Sequence, residues 1–255
     1  MLYFYIFLSG LIIGSFVNVV IYRVPRGESV AGGRSKCPKC GKTIPWYDLI
    51  PLVSFFWLKL RCRQCKTRIS WVYPLIELSS GVIFIISYVL FADVGVAYVL
   101  LQIFILELFL ILAVIDLKHL ILPDSILIFL IAGGLATFAI EPGINFLVGA
   151  ASLFALLLLV WWLSGGRGLG FGDVKLAGVI GLIFGFWGGL VVLYLAVILG
   201  ALIGIFLLMT GRANLKTKLP FGTIISLSAM FYILGGNLIL GRLGGLFYTI
   251  PAVLK

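Results

Sequence analysis

The chain has 255 residues, of which 62% are hydrophobic and only 11% charged, with a formal net charge of +10. A soluble domain of this length needs far more charge to cover its core. The basic excess sits in short segments between apolar runs, which argues against a nucleic-acid partner and for a polytopic membrane protein.

The first apolar run, Leu2 to Tyr22, is long enough to cross a bilayer. It lacks the basic start and small-residue cleavage site of a removable signal peptide. Further spans are expected near 74–92, 95–115, 125–140, 144–163, 174–187, 189–210 and 221–240, giving about eight transmembrane helices in an all-α fold. The run Leu176 to Thr210 is too long for one crossing, and a split at Phe186-Trp187-Gly188-Gly189 leaves a short first half. Eleven of the nineteen Lys and Arg lie between Arg23 and Arg68. With eight crossings, Lys118, Arg167, Lys175, Arg212, Lys216 and Lys218 share their face, and only Arg242 and Lys255 lie opposite. Basic loops stay in the cytoplasm, so both termini are expected outside.

Residues 23–73 form a cytoplasmic loop domain between the first helix, 1–22, and the membrane segment 74–255. The loop holds all four cysteines, in a duplicated C-x-x-C-x-x-x-I-x-W element running from Cys37 to Trp46 and from Cys62 to Trp71. Cys37, Cys40, Cys62 and Cys65 present four thiolates, the ligand set of a closed structural zinc site. Disulfides are the alternative, and a reducing cytosol disfavours them. Trp46, Tyr47, Trp57, Trp71 and Tyr73 crowd the same loop, either as an interfacial belt or as the lining of a site at the membrane.

Asp116 ends the third span, Asp124 begins the fourth, and Asp173 stands in the glycine-rich stretch GLGFGDVKL before the sixth. All three fall at one membrane level. Two carboxylates within hydrogen-bonding reach share a proton, and such a pair can activate water and protonate a leaving amine. Each aspartate could instead cap a helix N-terminus or turn. His119 is the only histidine, which removes the two-histidine metalloprotease motif and leaves a Ser-His pair, for instance with Ser15, without support from spacing. Gly165, Gly166, Gly168, Gly170 and Gly172 do not make a dinucleotide-binding motif, but they would let a substrate backbone approach Asp173. Glu107 in mid-span and Glu77 at the start of the second span are further intramembrane acids, each either structural or functional.

GSFVNVVIYRVPRGES, the CPKCGKTIPWYDLIPLVSF loop, CRQC with WVYPLIEL, IDLKHLILPD and GFGDVKL follow one another over nearly the whole chain. In that order they resemble the prepilin peptidases, the type IV leader peptidases of bacterial pilus, type II secretion and competence systems. The resemblance implies a GxGD-type membrane aspartic protease of the inner membrane, with Asp116 and Asp173 as the catalytic pair and Asp124 structural. The substrate would be a prepilin or pseudopilin, cut after a glycine on the cytoplasmic side, with lipid as the other partner. Members with the four-cysteine loop also methylate the new N-terminus using S-adenosylmethionine. This chain has Leu49 where the family usually shows asparagine and Val72 where it shows arginine, departures that bear on methylation rather than proteolysis. Rival readings are another GxGD intramembrane protease, a non-enzymatic zinc-ribbon scaffold and a proton-coupled transporter using Glu107.

Overall fold

A computed structural model describes residues 1–236, apart from 167, 213, 215, 216 and 218, and the backbone of 237–240. Arg167, Lys216, Lys218, Arg242 and Lys255, used above to orient the chain, lie outside the described residues. The helices are α1 (Leu2–Arg23), α2 (Val53–Trp57), α3 (Val72–Phe91), α4 (Val96–His119), α5 (Asp124–Ile140), α6 (Ile144–Leu163), α7 (Phe171–Met209) and α8 (Phe221–Leu240). Five of them are long and apolar enough to cross a membrane, and α5 and α8 are shorter apolar helices. Among the described residues there are isolated β-bridges but no strand, so the fold is all-α and multi-pass.

The chain divides into two compact units, Met1–Asp93 and Val94–Lys255. In the first, α1 lies directly on α3. A Cβ at Gly10 would come within 2.7 Å of the Gly81 Cα, and one at Gly14 within 2.7 Å of the Glu77 Cα. This Gly-x-x-x-Gly face brings the two backbones together in the way expected of helices in lipid, where close packing replaces the hydrophobic drive.

The loop between these helices contains two matching knuckles, the physical form of the sequence repeat. Cys37 N–H donates to Lys42 C=O at 3.0 Å and Cys62 N–H to Thr67 C=O at 2.8 Å. The bridges Lys36–Thr43 and Arg61–Arg68 close the two turns equivalently. Gly41 and Lys66 occupy the same left-handed corner, with φ of 70° and 57°. That corner favours glycine, so the second knuckle carries strain the first does not.

In the second unit α4 is the central helix. It is apolar on every side and mostly buried, as a core membrane helix must be. The 39-residue α7 is in effect two helices. Gly185, at φ 70° and ψ −176°, breaks it, one residue before the split expected from length. Residues eight apart in a continuous helix are about 12 Å apart, yet the Cβ position of Gly189 lies 3.4 Å from the Gly181 Cα. The chain therefore doubles back at Gly185, and α7 forms a helical hairpin of two limbs, 171–184 and 186–209. Asn145 of α6 secures the turn, its Oδ1 accepting from Phe186 N–H at 3.3 Å, the first donor of the second limb. Counting both limbs restores eight apolar helical segments, with 116, 124, 171 and 221 at the ends of α4, α5, α7 and α8.

Candidate catalytic and metal sites

Asp116 lies in the last turn of α4 and Asp173 in the first turn of α7, both buried. Their carboxylates are near enough for the two charges to repel. The structure thus brings together two residues 57 positions apart in the chain. Asp124 is elsewhere. It starts α5 with its side chain 67% exposed, and its Oδ1 takes an ion pair from Lys175 Nζ at 2.7 Å. That bond ties the α4–α5 turn to the limb carrying Asp173.

Leu122 explains how the two aspartates are held in register. The side chain projects between Gly172 and Gly222, which immediately precede Asp173 and Thr223. A Cβ at Gly172 would sit 3.1 Å from the Leu122 Cβ, and one at Gly222 would sit 2.9 Å from both Leu122 methyl carbons and 3.1 Å from Asp116 Oδ2. The first turns of α7 and α8 can converge on Asp116 only because both positions lack a side chain.

The two carboxylates have different surroundings. Asp116 Oδ2 accepts from Thr223 N–H at 2.6 Å and lies 3.1 Å from Thr223 Oγ1, which is also 3.0 Å from the Ala113 carbonyl. The Thr223 N–H is one of the orphan donors in the first turn of α8, so Asp116 caps a helix from a distant element. Among the described residues, Asp173 Oδ2 accepts from Gly170 N–H alone, at 3.2 Å. That contact is half of a capping box, so the capping reading of Asp173 is true locally without explaining the neighbouring Asp116. Thr223 is the site residue that sequence reasoning missed. Its only advance signal was its place at the start of an apolar helix after Pro220-Phe221-Gly222.

Glu107 is buried midway along α4, and His119 is exposed just after the turn that carries Asp116. In the first unit, Glu77 Oε2 accepts from Leu52 N–H at 2.8 Å, and the Ser15 hydroxyl also reaches its carboxylate. The loop aromatics divide between the two roles considered. Trp46, Trp57 and Trp71 are exposed, Tyr73 lines a cavity, and Tyr47 lines it while remaining 48% exposed.

The four cysteine sulfurs lie within 4.8 Å of one another. A tetrahedral site with Zn–S bonds of about 2.3 Å has edges of about 3.8 Å, and the sulfurs of Cys37 and Cys65 are 3.8 Å apart. Hydrogen bonds from Thr67, its side chain first, pull the Cys65 thiol down to about 6. Against a hydrogen bond from the Lys42 backbone, burial and the neighbouring Cys37 and Cys65 push Cys40 up to about 11, so the thiols hold their protons as one cluster. The residues fit a closed four-thiolate metal site. Chelation is expected to expose residues 37–71 to limited proteolysis and to release one metal ion per chain. Unchanged protection after complete metal removal would contradict a structural role.

Comparison with known proteins places these features in one lineage. A family model described as Bacterial Peptidase A24 N-terminal domain matches residues 8–91, and the Type IV leader peptidase family matches residues 102–205. A protein of Bacillus subtilis named prepilin leader peptidase/N-methyltransferase is 34% identical over 243 residues, covering 92% of this chain and 95% of the relative. Proteins of the same name from Myxococcus xanthus and Klebsiella pneumoniae are 38% and 41% identical, covering 84% and 69% of this chain and 66% and 82% of theirs. No solved structure matches the chain.

Proposed function

The chain belongs to the type IV leader peptidase family, and on that premise we propose that Asp116 and Asp173 are the catalytic pair of its peptidase activity. The enzyme is a prepilin peptidase and N-methyltransferase. It removes the leader of type IV prepilins or pseudopilins and methylates the amine that cleavage exposes. The observation supporting the assignment is the pair itself: two buried aspartates from the ends of different helices, close enough for their charges to interact.

Such a pair shares one proton. The unprotonated carboxylate takes a proton from water as the water oxygen adds to the scissile carbonyl. The protonated partner gives its proton to the carbonyl oxygen; as the C–N bond breaks, the proton gained from water passes to the leaving amine and the collapsing gem-diol returns one hydroxyl proton to the partner carboxylate, which restores the shared-proton pair. Gly170 and Gly172, without side chains beside Asp173, leave room for an extended backbone at the cut.

Thr223 is the positioning residue for Asp116. Thr223→Val keeps the N–H donor and removes the hydroxyl, and is expected to lower kcat about tenfold with KM unchanged, the equivalent of one hydrogen bond to a charged group. Wild-type kcat in that variant would show that the backbone donor alone orients Asp116.

Zinc is the metal assigned to Cys37, Cys40, Cys62 and Cys65, folding the 23–73 loop and leaving no open position for catalysis. S-adenosylmethionine is the methyl donor. The inner membrane is the location, with the aspartates and the zinc loop at its cytoplasmic face, supported by the concentration of Lys and Arg in that loop. The test is incubation of the purified enzyme with a prepilin and the methyl donor, followed by mass spectrometry. A product beginning after the leader glycine and one methyl group heavier is expected; an intact prepilin would overturn the reading.

A further inference from the structure

The short helix α2 divides the loop of the first unit into an inner and an outer side. Ser54, Phe55 and the capping Leu58 turn inward, onto the cavity between α1, the loop and α3. Val53, Phe56 and Trp57 follow the i, i+3, i+4 spacing of one helix face and turn outward, with Ile50 just ahead of them. None of these four lines the cavity, and all are exposed, Trp57 by 79%. Bulky apolar side chains grouped in this way mark a surface that something covers.

The position of this face against the spans decides what the cover is. Leu52 N–H donates to Glu77 Oε2 at 2.8 Å, and the Ser15 hydroxyl reaches the same carboxylate. Glu77 is five residues into α3, and Ser15 is eight residues short of the end of α1. At 1.5 Å per residue these positions lie about 8 and 12 Å inside the two helices. Segment 50–57 therefore returns alongside the helix ends and does not stand off beyond them. Phe55 is buried and meets the Trp71 ring edge-on, with centroids 5.0 Å apart. Trp71 caps α3 and heads a line of exposed side chains, Leu75, Leu78 and Val82, down that apolar span. The outer face of α2 thus continues the outer stripe of a membrane-crossing helix.

Charge selects the kind of bilayer. Between Arg23 and Arg68 there are eleven Lys and Arg and two acids, Glu28 and Asp48. Asp48 is taken up by Arg63, which grips both carboxylate oxygens at 2.6 and 2.8 Å. Lys59 and Arg61 are exposed and follow Trp57 within four residues. Tryptophan and other large apolar side chains with cations directly beside them suit the boundary between acyl chains and headgroups. An acidic protein would answer the charge, but not an apolar face joined to the side of α3.

We propose that residues 50–61 dock on an anionic phospholipid surface, with Val53, Phe56 and Trp57 seated at the headgroup boundary and Lys59 and Arg61 on the phosphates. The cysteine loop is then held flat against the bilayer. Held there, its inner side stays at the level where a membrane-held substrate is cut; that consequence rests on the peptidase assignment, and the docking does not.

Fluorescence quenching of the full-length enzyme in lipid nanodiscs tests this. The nanodiscs combine phosphatidylglycerol with phosphatidylcholine brominated either near the glycerol end or near the methyl end of the acyl chain. The Trp57 signal is the difference between the wild type and Trp57→Phe, a change that keeps the face apolar at an exposed position. That signal is expected to fall about twofold with shallow bromine and much less with deep bromine. No quenching by either lipid would mean that water or protein covers the face, and stronger quenching from the deep position would mean that the segment does not lie at the interface. Either result would overturn the proposal. Tryptic cutting after Lys59 and Arg61 is an independent readout. It is expected to be about tenfold slower with phosphatidylglycerol than in phosphatidylcholine alone, and Phe56→Ser combined with Trp57→Ser should restore the faster rate. Equal rates in the two lipids, or the same protection in detergent, would also overturn it. Neither readout involves prepilin, so failure of the docking and failure of the peptidase assignment are told apart.

Discussion

Asp173→Asn is expected to lower prepilin cleavage by about 10⁴-fold or more, the scale on which removal of a principal catalytic group acts. Asparagine retains a side-chain oxygen that can accept from Gly170 N–H, which Asp173 does at 3.2 Å. The cap on α7 therefore survives, and thermal unfolding in detergent should be unchanged within about a degree or two. What asparagine cannot do is exchange a proton with water or with the leaving amine. The variant separates the two roles of one side chain, and an inactive but unfolded protein would not support the catalytic role. Substantial cleavage by a folded Asp173→Asn protein would reduce Asp173 to a helix cap.

Gly149→Ala is expected to cost stability out of proportion to its size. On intrinsic propensity, alanine in a helix gains about 1 kcal/mol over glycine. Here an added Cβ would stand 2.6 Å from the Gly185 carbonyl carbon and the Phe186 nitrogen, and 2.7 Å from the Gly181 oxygen. All three are backbone atoms of the α7 hairpin and cannot rotate away. The α6 backbone would have to retreat, loosening the Asn145 bond that secures the turn. A net loss of about 3 kcal/mol is expected, the upper end for overpacking in a filled core. The readout is a lowered unfolding midpoint in detergent, with new proteolytic cleavage near residue 185. A midpoint at or above wild type would mean that the two helices do not pack as described.

These two substitutions mark what could and could not be read from the sequence. The aspartates were legible because ionised groups at a membrane boundary stand out in a chain with 11% charged residues. Their meeting was not, because it depends on Leu122 fitting between Gly172 and Gly222. The cysteine repeat was legible in detail, since each half builds its own turn from local hydrogen bonds. The division of the long seventh helix followed from length, which places the break near the middle but does not identify the residue. Gly185 was selected by a left-handed backbone and by Asn145 of a neighbouring helix. The same limit hid Thr223, whose donors serve a carboxylate 107 positions away. Gly10 and Gly14 stand at Gly-x-x-x-Gly spacing in the sequence, but that spacing does not say that they meet Gly81 and Glu77 of α3.

The central claim is that Asp116, and not Asp124, partners Asp173. Its most direct test is prepilin cleavage by Asp116→Asn and Asp124→Asn, purified side by side with the wild type and shown to be folded. The geometry predicts no detectable cleavage by Asp116→Asn. Asp124→Asn should retain most activity, because its exposed bond to Lys175 is worth about 1 kcal/mol at most. A folded Asp116→Asn protein that still cuts, or an Asp124→Asn protein that does not, would contradict it.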